Sequence, residues 1–370
     1  MNKNGKIGIK ILIVILIVIF ASVLVYLNQT PIFLEKTIKI FNKNYEYKTP
    51  TVELESSEGA FVDVLNDARA VIATKDGVKI YSHTLKSELS AAFSGENPIV
   101  KHNSDKILIF HKGSNKALFI NGRKNIPVTA SGNILTGSVN ENGYFALLTE
   151  EKGFKSQIIV YDKNGEEFYK WHSAENFVND IALSPSNITL AASVLDYADA
   201  KLKSKLLIFD TATEQPKEVI SEDCITSVEF LSKSKIAAVC DNCVAVYSSG
   251  GERMWNHSFG SKGIFAYKIK DGKIAAAAGE SNLSTETVDV LMFNESGKAV
   301  VNYKNRGEVE GLDILSDNVL VVGKRYMRVV SNDEKSYLKT GKDITSAHFS
   351  GNTKTALVHT GMLVQLEYFE

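Results

Sequence analysis

The sequence predicts an all-β protein, a β-propeller of four-stranded blades, with one N-terminal transmembrane helix ahead of it. Three observations lead there. From Ile11 to Leu27 the chain reads ILIVILIVIFASVLVYL, without a charge. Beyond Thr49 it becomes a succession of short runs such as KILIFHK, SQIIVYD, KLLIFD and VLVVGK, rich in β-branched residues and bounded by Gly, Asn, Asp or Ser. Such runs read as strands separated by turns. They recur in groups of four, and the groups begin 35 to 47 residues apart.

The apolar run comes first in the chain. Its 17 residues rise roughly 26 Å as a helix at 1.5 Å each. With Lys10 reaching outward, that approaches the ~30 Å hydrocarbon core of a bilayer. No small-x-small cleavage site follows the run, so an uncleaved anchor is expected rather than a signal peptide. Lys3, Lys6 and Lys10 precede it and Lys36, Lys39, Lys43 and Lys48 follow it. Flanking charge therefore leaves orientation open, and the short basic tail is the simpler part to leave inside. The expected layout is a cytoplasmic tail over residues 1–10, a membrane helix over 11–27 contacting the bilayer, a stalk over 28–48, and a propeller over 49–370 outside the plasma membrane.

The first strand of each group begins near Phe61, Pro98, Ile134, Phe177, Cys224, Ile264, Val309 and Ile344. This period matches a four-stranded blade. The turn after the first strand stays short and polar, as in VNENGY, IKDGKI and LSDNV, which suits a tight hairpin. The last group, DITSAHFS to MLVQLEYF, has three strands. The missing fourth is supplied by TVELES at Thr51–Ser56, which would close the ring and remove its open edges. Eight blades are expected. Seven is the alternative, because the second group is the least regular.

One phrase is written twice, as VYDKNGEEFYKWHSA from Val160 and VYSSGGERMWNHSF from Val246. It spans the third strand, a Gly turn and the fourth strand. Recurrence at one place in the repeat marks Trp171 and Trp255, with His172 and His257, as packing residues.

Composition excludes some functions. Lys plus Arg number 42 against 43 Asp plus Glu, a net charge of -1, and no basic stripe with interleaved aromatics appears, so no nucleic-acid partner is expected. No Walker loop, GxSxG, HExxH or DxDxDG calcium loop is present. No catalytic residue, cofactor or metal is expected. The three cysteines are too few for a disulfide framework. Cys240 and Cys243 flank Asp241 and Asn242 in a hairpin turn, without the helix a redox CxxC uses. A second CxxC or CxH to complete a zinc site is also missing. Plain thiols and a local Cys240–Cys243 disulfide both remain open.

Strand direction places the second-to-third and fourth-to-first connections on one face. The long insertions gather there: TEEKGFKSQ, LDYADAKLKSK at Leu195–Lys205 and GESNLSTET at Gly279–Thr287. Clustered loops on one face of a repeat protein mark a binding surface. The candidates are Leu195, Asp196, Tyr197, Asp199, Lys201 and Lys203 in one loop, and Glu280, Asn282, Thr285 and Glu286 in another. A protein or cell-envelope partner is expected on that face.

The aliphatic-aromatic-Asp, Gly-turn and Trp phrase resembles quinoprotein-like and WD-type propeller repeats. The layout of short basic tail, one membrane helix and divergent propeller resembles a Gram-positive family of membrane-anchored propellers of unknown function. That resemblance implies a binding or scaffold module and carries over no catalytic residue. The alternative is a quinoprotein-like or hydrolytic enzyme with a site in the central channel.

Overall fold

Residues 49–56, 59–185, 189–198, 201–211, 215–280, 286–332 and 335–369 are described by a computed structural model. The predicted membrane helix and the whole of the predicted stalk lie outside these residues. No helix among the described residues is long and apolar enough to cross a membrane.

Every sheet is an antiparallel run of four strands, and there are eight sheets. Their first strands begin at Phe61, Pro98, Ile134, Phe177, Ile225, Gly263, Gly311 and Ser346, within two residues of the starts expected from the repeat. Eight rather than seven blades is therefore correct, the second group forming an ordinary blade from Pro98 to Thr129. Blades are numbered 1 to 8 here in chain order.

Blade 8 is completed from the other end of the chain. Thr51–Glu53 pairs antiparallel with the third strand of that blade, setting Thr51 opposite Gln365, Val52 opposite Val364 and Glu53 opposite Leu363. The closing strand is three residues long, shorter than TVELES. The stitch continues past it, because the Leu54 amide donates to the Met362 carbonyl at 2.8 Å. The Leu54 side chain is buried with Val62 and Ile72 of blade 1 and Leu366 of blade 8.

The core consists of eight apolar layers, each between two neighbouring blades. Period-2 alternation explains how one strand serves two layers. In the second strand of blade 5, Lys235–Cys240, residues Ile236, Ala238 and Cys240 pack toward blade 4. Ala237 and Val239 of the same strand pack toward blade 6. Both faces are buried, so the sequence reads as a continuous apolar run rather than an alternating one.

The repeated phrase does the packing expected of it. Trp171 pairs with Ile158 and meets Phe209 of blade 4 edge-on, ring centroids 5.0 Å apart. Trp255 pairs with Val246 and lies 5.7 Å from the equivalent Phe293 of blade 6. Its indole N–H donates to the Glu295 carbonyl at 3.1 Å. The glycine in the same turn of blade 6 has a matching reason. Gly297 has φ +81°, and a Cβ there would sit 2.8 Å from the Trp255 ring of the preceding blade.

Side chains also tie blade to blade. Ser156 Oγ accepts from the Val178 amide at 2.9 Å, and Ser204 Oγ accepts from the Ile225 amide at 2.8 Å. These equivalent third-strand serines each hold the entry of the next blade.

The closing strand yields a direct test. Leu54→Ala should destabilise the protein by about 2–5 kcal/mol, the usual range for a buried leucine. Chemical denaturation checks it. A loss near zero would mean that the N-terminal segment is not part of the ring.

Candidate functional site

The eight first strands converge on one central channel, and seven of them bring a charge or an imidazole to its wall. The residues occur as FVDV, VKHN, VNDIAL, VEFL, YKIK, LDIL and AHFS, polar residues interrupting apolar strands. A cavity of about 550 Å³ lies between them, lined by Asp63, Lys101, Asp180, Glu229, Tyr267 and Lys268 among others. Its lining extends to Asn66, Asp271 and Gly272 in first-to-second turns, so it reaches the short-turn face.

Two clusters neutralise most of these charges. The Asp63 carboxylate of blade 1 is 3.3 Å from His102 Nε2 of blade 2 and 3.1 Å from His348 Nδ1 of blade 8. The latter approach is out of line for a hydrogen bond. Lys268 of blade 6 reaches across the channel to Asp63 at 3.6 Å. The same ammonium lies 4.0 Å from Asp313 of blade 7, which Lys270 also approaches at 3.4 Å. Asp313 is 1% exposed and its other oxygen accepts the Phe349 amide of blade 8 at 2.9 Å. On the far side, Asp180 of blade 4 accepts the Ser227 hydroxyl at 2.7 Å and the Val228 amide at 3.1 Å, both from blade 5.

The electrostatics follow from enclosure set against these partners. Burial alone would raise Asp63, but His348, Lys268 and His102 together hold it well below the ordinary carboxylate value. Burial opposes the Lys268 ammonium too, and Asp63 and Asp313 overturn that, keeping it above the usual lysine value. His348 is pushed down, mainly by burial, with Asp63 opposing the fall and Lys268 adding to it. Glu229 differs. Water reaches its carboxyl, yet the channel walls surround it, and that enclosure pushes its pKa up to about 7, with Lys101 opposing and Asp180 reinforcing the rise.

The predicted binding loops take another form. Leu195–Lys205 is not a loop. Strands Leu190–Ala198 and Lys201–Phe209 run as a single ladder to its tip, with Leu195 opposite Ser204, Asp196 opposite Lys203, and Ala198 opposite Lys201. The ladder continues because each added residue pair gains backbone hydrogen bonds. TEEKGFKSQ likewise belongs to two strands, with Glu151 opposite Phe154 at a tight turn. Glu280 and Glu286 bracket the connection of blade 6. Asp199, Asn282 and Thr285 lie outside the described residues. The face therefore carries a protruding hairpin. At its foot Phe177, 59% exposed, pairs with Leu195. Lys155 stands over the Phe177 ring at 4.6 Å, and the neighbouring Phe154 is 45% exposed.

Cys240 and Cys243 end and begin adjacent strands of blade 5 and are buried as thiols, with Cys224 part-exposed. A hydrogen bond donated to Cys243, burial, and the nearby Asp223 and Asp241 push the Cys240 thiol far up.

Sequence reasoning missed the channel charges. Asp63, His102 and His348 come from three strands and meet only when the ring closes. The available signal was the charge or imidazole that interrupts the apolar first strand of every blade but the third.

The family described as "Family of unknown function (DUF5711)" matches residues 37–363. No curated protein matches the sequence. Among solved structures, Sqt1 of Saccharomyces cerevisiae is similar with TM-score 0.60 and 11% identity, covering 88% of this chain and 100% of that one. BamB from Moraxella catarrhalis has TM-score 0.56 and 14% identity, over 88% of this chain and 98% of that one. AztD from Citrobacter koseri has TM-score 0.54 and 9% identity, over 80% of this chain and 94% of that one. At such identities the likeness is one of fold.

Two tests follow from the channel. Asp313→Ala strands the Phe349 amide and two lysines, and should cost about 3–5 kcal/mol, as for a broken buried pair; urea unfolding reads it. Glu229 tests the electrostatics. Its value rises from 4.5 unfolded to about 7 folded, so the folded state holds the proton more tightly. Stability is then lost as pH rises through that window and is level above it. Glu229→Gln should flatten this slope, so its stability advantage over the native chain grows with pH up to about 7. An advantage that shrinks with pH would reverse the assignment.

Proposed function

We propose, from the premise that the chain belongs to the DUF5711 family of unknown function, that it is a binding or scaffold module. In this reading residues 11–27 anchor it in the plasma membrane with a cytoplasmic tail, and the propeller stands outside and holds a protein partner. The support for the anchor is the uncharged run Ile11–Leu27 with its basic flank.

The observation that carries the binding role is two exposed phenylalanines on adjoining blades, Phe154 of blade 3 at 45% and Phe177 at the foot of the blade 4 hairpin at 59%, the latter under Lys155 of blade 3. Most large apolar side chains of the described residues are buried between blades, so two solvent-facing phenylalanines on neighbouring blades call for an explanation. Exposed aromatics beside a cation have the chemistry of an interface anchor. The adjoining hairpin edge offers unpaired backbone groups over the length by which it outruns its neighbours. The channel supports this reading less, because its charges are mostly engaged with one another and Ser227, its lining hydroxyl, is spent on Asp180.

Crosslinking in native membranes from a photoreactive residue at position 197 should capture one defined protein. Phe154→Ser and Phe177→Ser should each weaken capture roughly thirtyfold if each ring is a hot spot worth ~2 kcal/mol. The unfolding midpoint should change little, because the rings face solvent. Undiminished capture in the double variant would refute the site. Full protection of the propeller from protease added to intact cells would refute the placement.

A further inference from the structure

The Cys240–Cys243 turn has a third donor that no spacing rule in the sequence reveals. A carboxylate oxygen of Asp223 and the two sulfurs all lie within 4.8 Å of one another. The blade architecture makes this meeting. Asp223 leads into the first strand of blade 5, which starts at Ile225, while Cys240 ends the second strand and Cys243 begins the third. Fourth-to-first and second-to-third connections share a face, so the three residues arrive at one rim. Alternation then sets Cys240 and Cys243 on the same side of the sheet. Both join the layer that faces blade 4, together with Ala238 and Ala245.

The turn is fixed before anything binds. The Asp241 amide donates to the Cys224 carbonyl at 3.2 Å, the Ile264 amide to the Asp241 carbonyl at 2.8 Å and the Phe259 amide to the Asn242 carbonyl at 2.9 Å. The Asn242 side-chain amide donates to the Gly260 carbonyl at 2.9 Å. Four bonds from the flanking segments thus hold a two-residue turn, the rigidity a metal site needs. The charge is also uncompensated. Among the described residues neither Asp223 nor Asp241 has a Lys, Arg or His within ion-pair distance. Two carboxylates beside two sulfurs, with no cation, form a place where a cation is missing from the balance.

We propose that Asp223, Cys240 and Cys243 form a site for a thiophilic divalent cation, Zn²⁺ by chemical class, on the rim of blade 5. Two sulfurs and one carboxylate oxygen suit a borderline-soft ion of tetrahedral preference and suit Mg²⁺ or Ca²⁺ poorly. The three ligands leave one tetrahedral position toward solvent on the Asp223 side, where that residue is part-exposed. Binding is coordination without electron transfer. Each cysteine releases its proton to solvent as its sulfur bonds the metal, so two protons leave per ion. A Cys240–Cys243 disulfide would instead remove two electrons and leave no thiolate to bind.

The test uses the full chain, purified without oxygen, reduced, stripped of metal and titrated with Co²⁺ as a spectroscopic stand-in for Zn²⁺. A thiolate-to-cobalt charge-transfer band should saturate at one equivalent and vanish when Zn²⁺ is added. Cys243→Ser should abolish the band. Asp223→Asn, a part-exposed change that leaves the blade core intact, should weaken affinity tenfold or more, since even outer partners of metal sites are worth ~10–100-fold. Cys224→Ser should leave it unchanged. No band, a band surviving Cys243→Ser, or full affinity in Asp223→Asn would overturn the proposal. So would an anaerobically isolated chain two hydrogens lighter, with Cys240 and Cys243 linked in its peptide map.

Discussion

Every blade of this protein is a sheet with two apolar faces, and neither face can be left to water. That constraint governs the rest. A four-stranded sheet of this kind is insoluble alone and becomes stable when a neighbour covers each side. Covering both sides of all eight sheets requires a closed ring, and a closed ring requires the first and last strands of the domain to meet. The three pairs between Thr51–Glu53 and Leu363–Gln365 are few. They complete blade 8, whose faces pack on both blade 7 and blade 1.

Closure has a cost at the centre. Eight first strands are brought side by side around one narrow axis, and the side chains they turn inward have little water around them. A charge there must find a partner on another blade. Asp63 and Asp313 do so through Lys268, which spans from blade 6 to both. Asp180 does so through Ser227 and a backbone amide. The network is thus a bond between blades as much as a lining. For Glu229 enclosure outweighs Lys101 and a hydrogen bond from the Phe230 amide, which is why its proton affinity moves up toward neutrality.

Much of this was legible in the sequence, and the limits are physical. Apolar runs of five or six residues punctuated by turn formers give the strands, and their period gives the blade count, because local pattern dictates both. The Trp171 and Trp255 phrase revealed blade packing because both copies use the same neighbour, Phe209 or Phe293. Leu195–Lys205 was misread as a loop. Its run of charged residues reads as a solvated loop, but a two-stranded ladder can also carry polar residues along its length. The channel network was not legible because its members lie tens of residues apart and no local pattern says which blades face each other across the axis. The same holds for Asp223, far from Cys240 in sequence and beside it at the rim.

What repeats in this chain and what does not repeat therefore have different meanings. The apolar alternation, the third-strand serines, the Gly turns and the Trp–Phe contacts recur because each blade solves the same packing problem. Selection for closure explains them without reference to any ligand. The blade 4 hairpin, the exposed Phe154 and Phe177, the acidic rim around Cys240 and Cys243, and the protonation-prone Glu229 have no counterpart in the other blades that closure would demand. The first three stand on the face where the second-to-third and fourth-to-first connections emerge, and the fourth stands inside the channel. A ring that needs identical joints leaves its rim free to vary, and the departures from the repeat on that rim are where binding chemistry can be added without opening the ring.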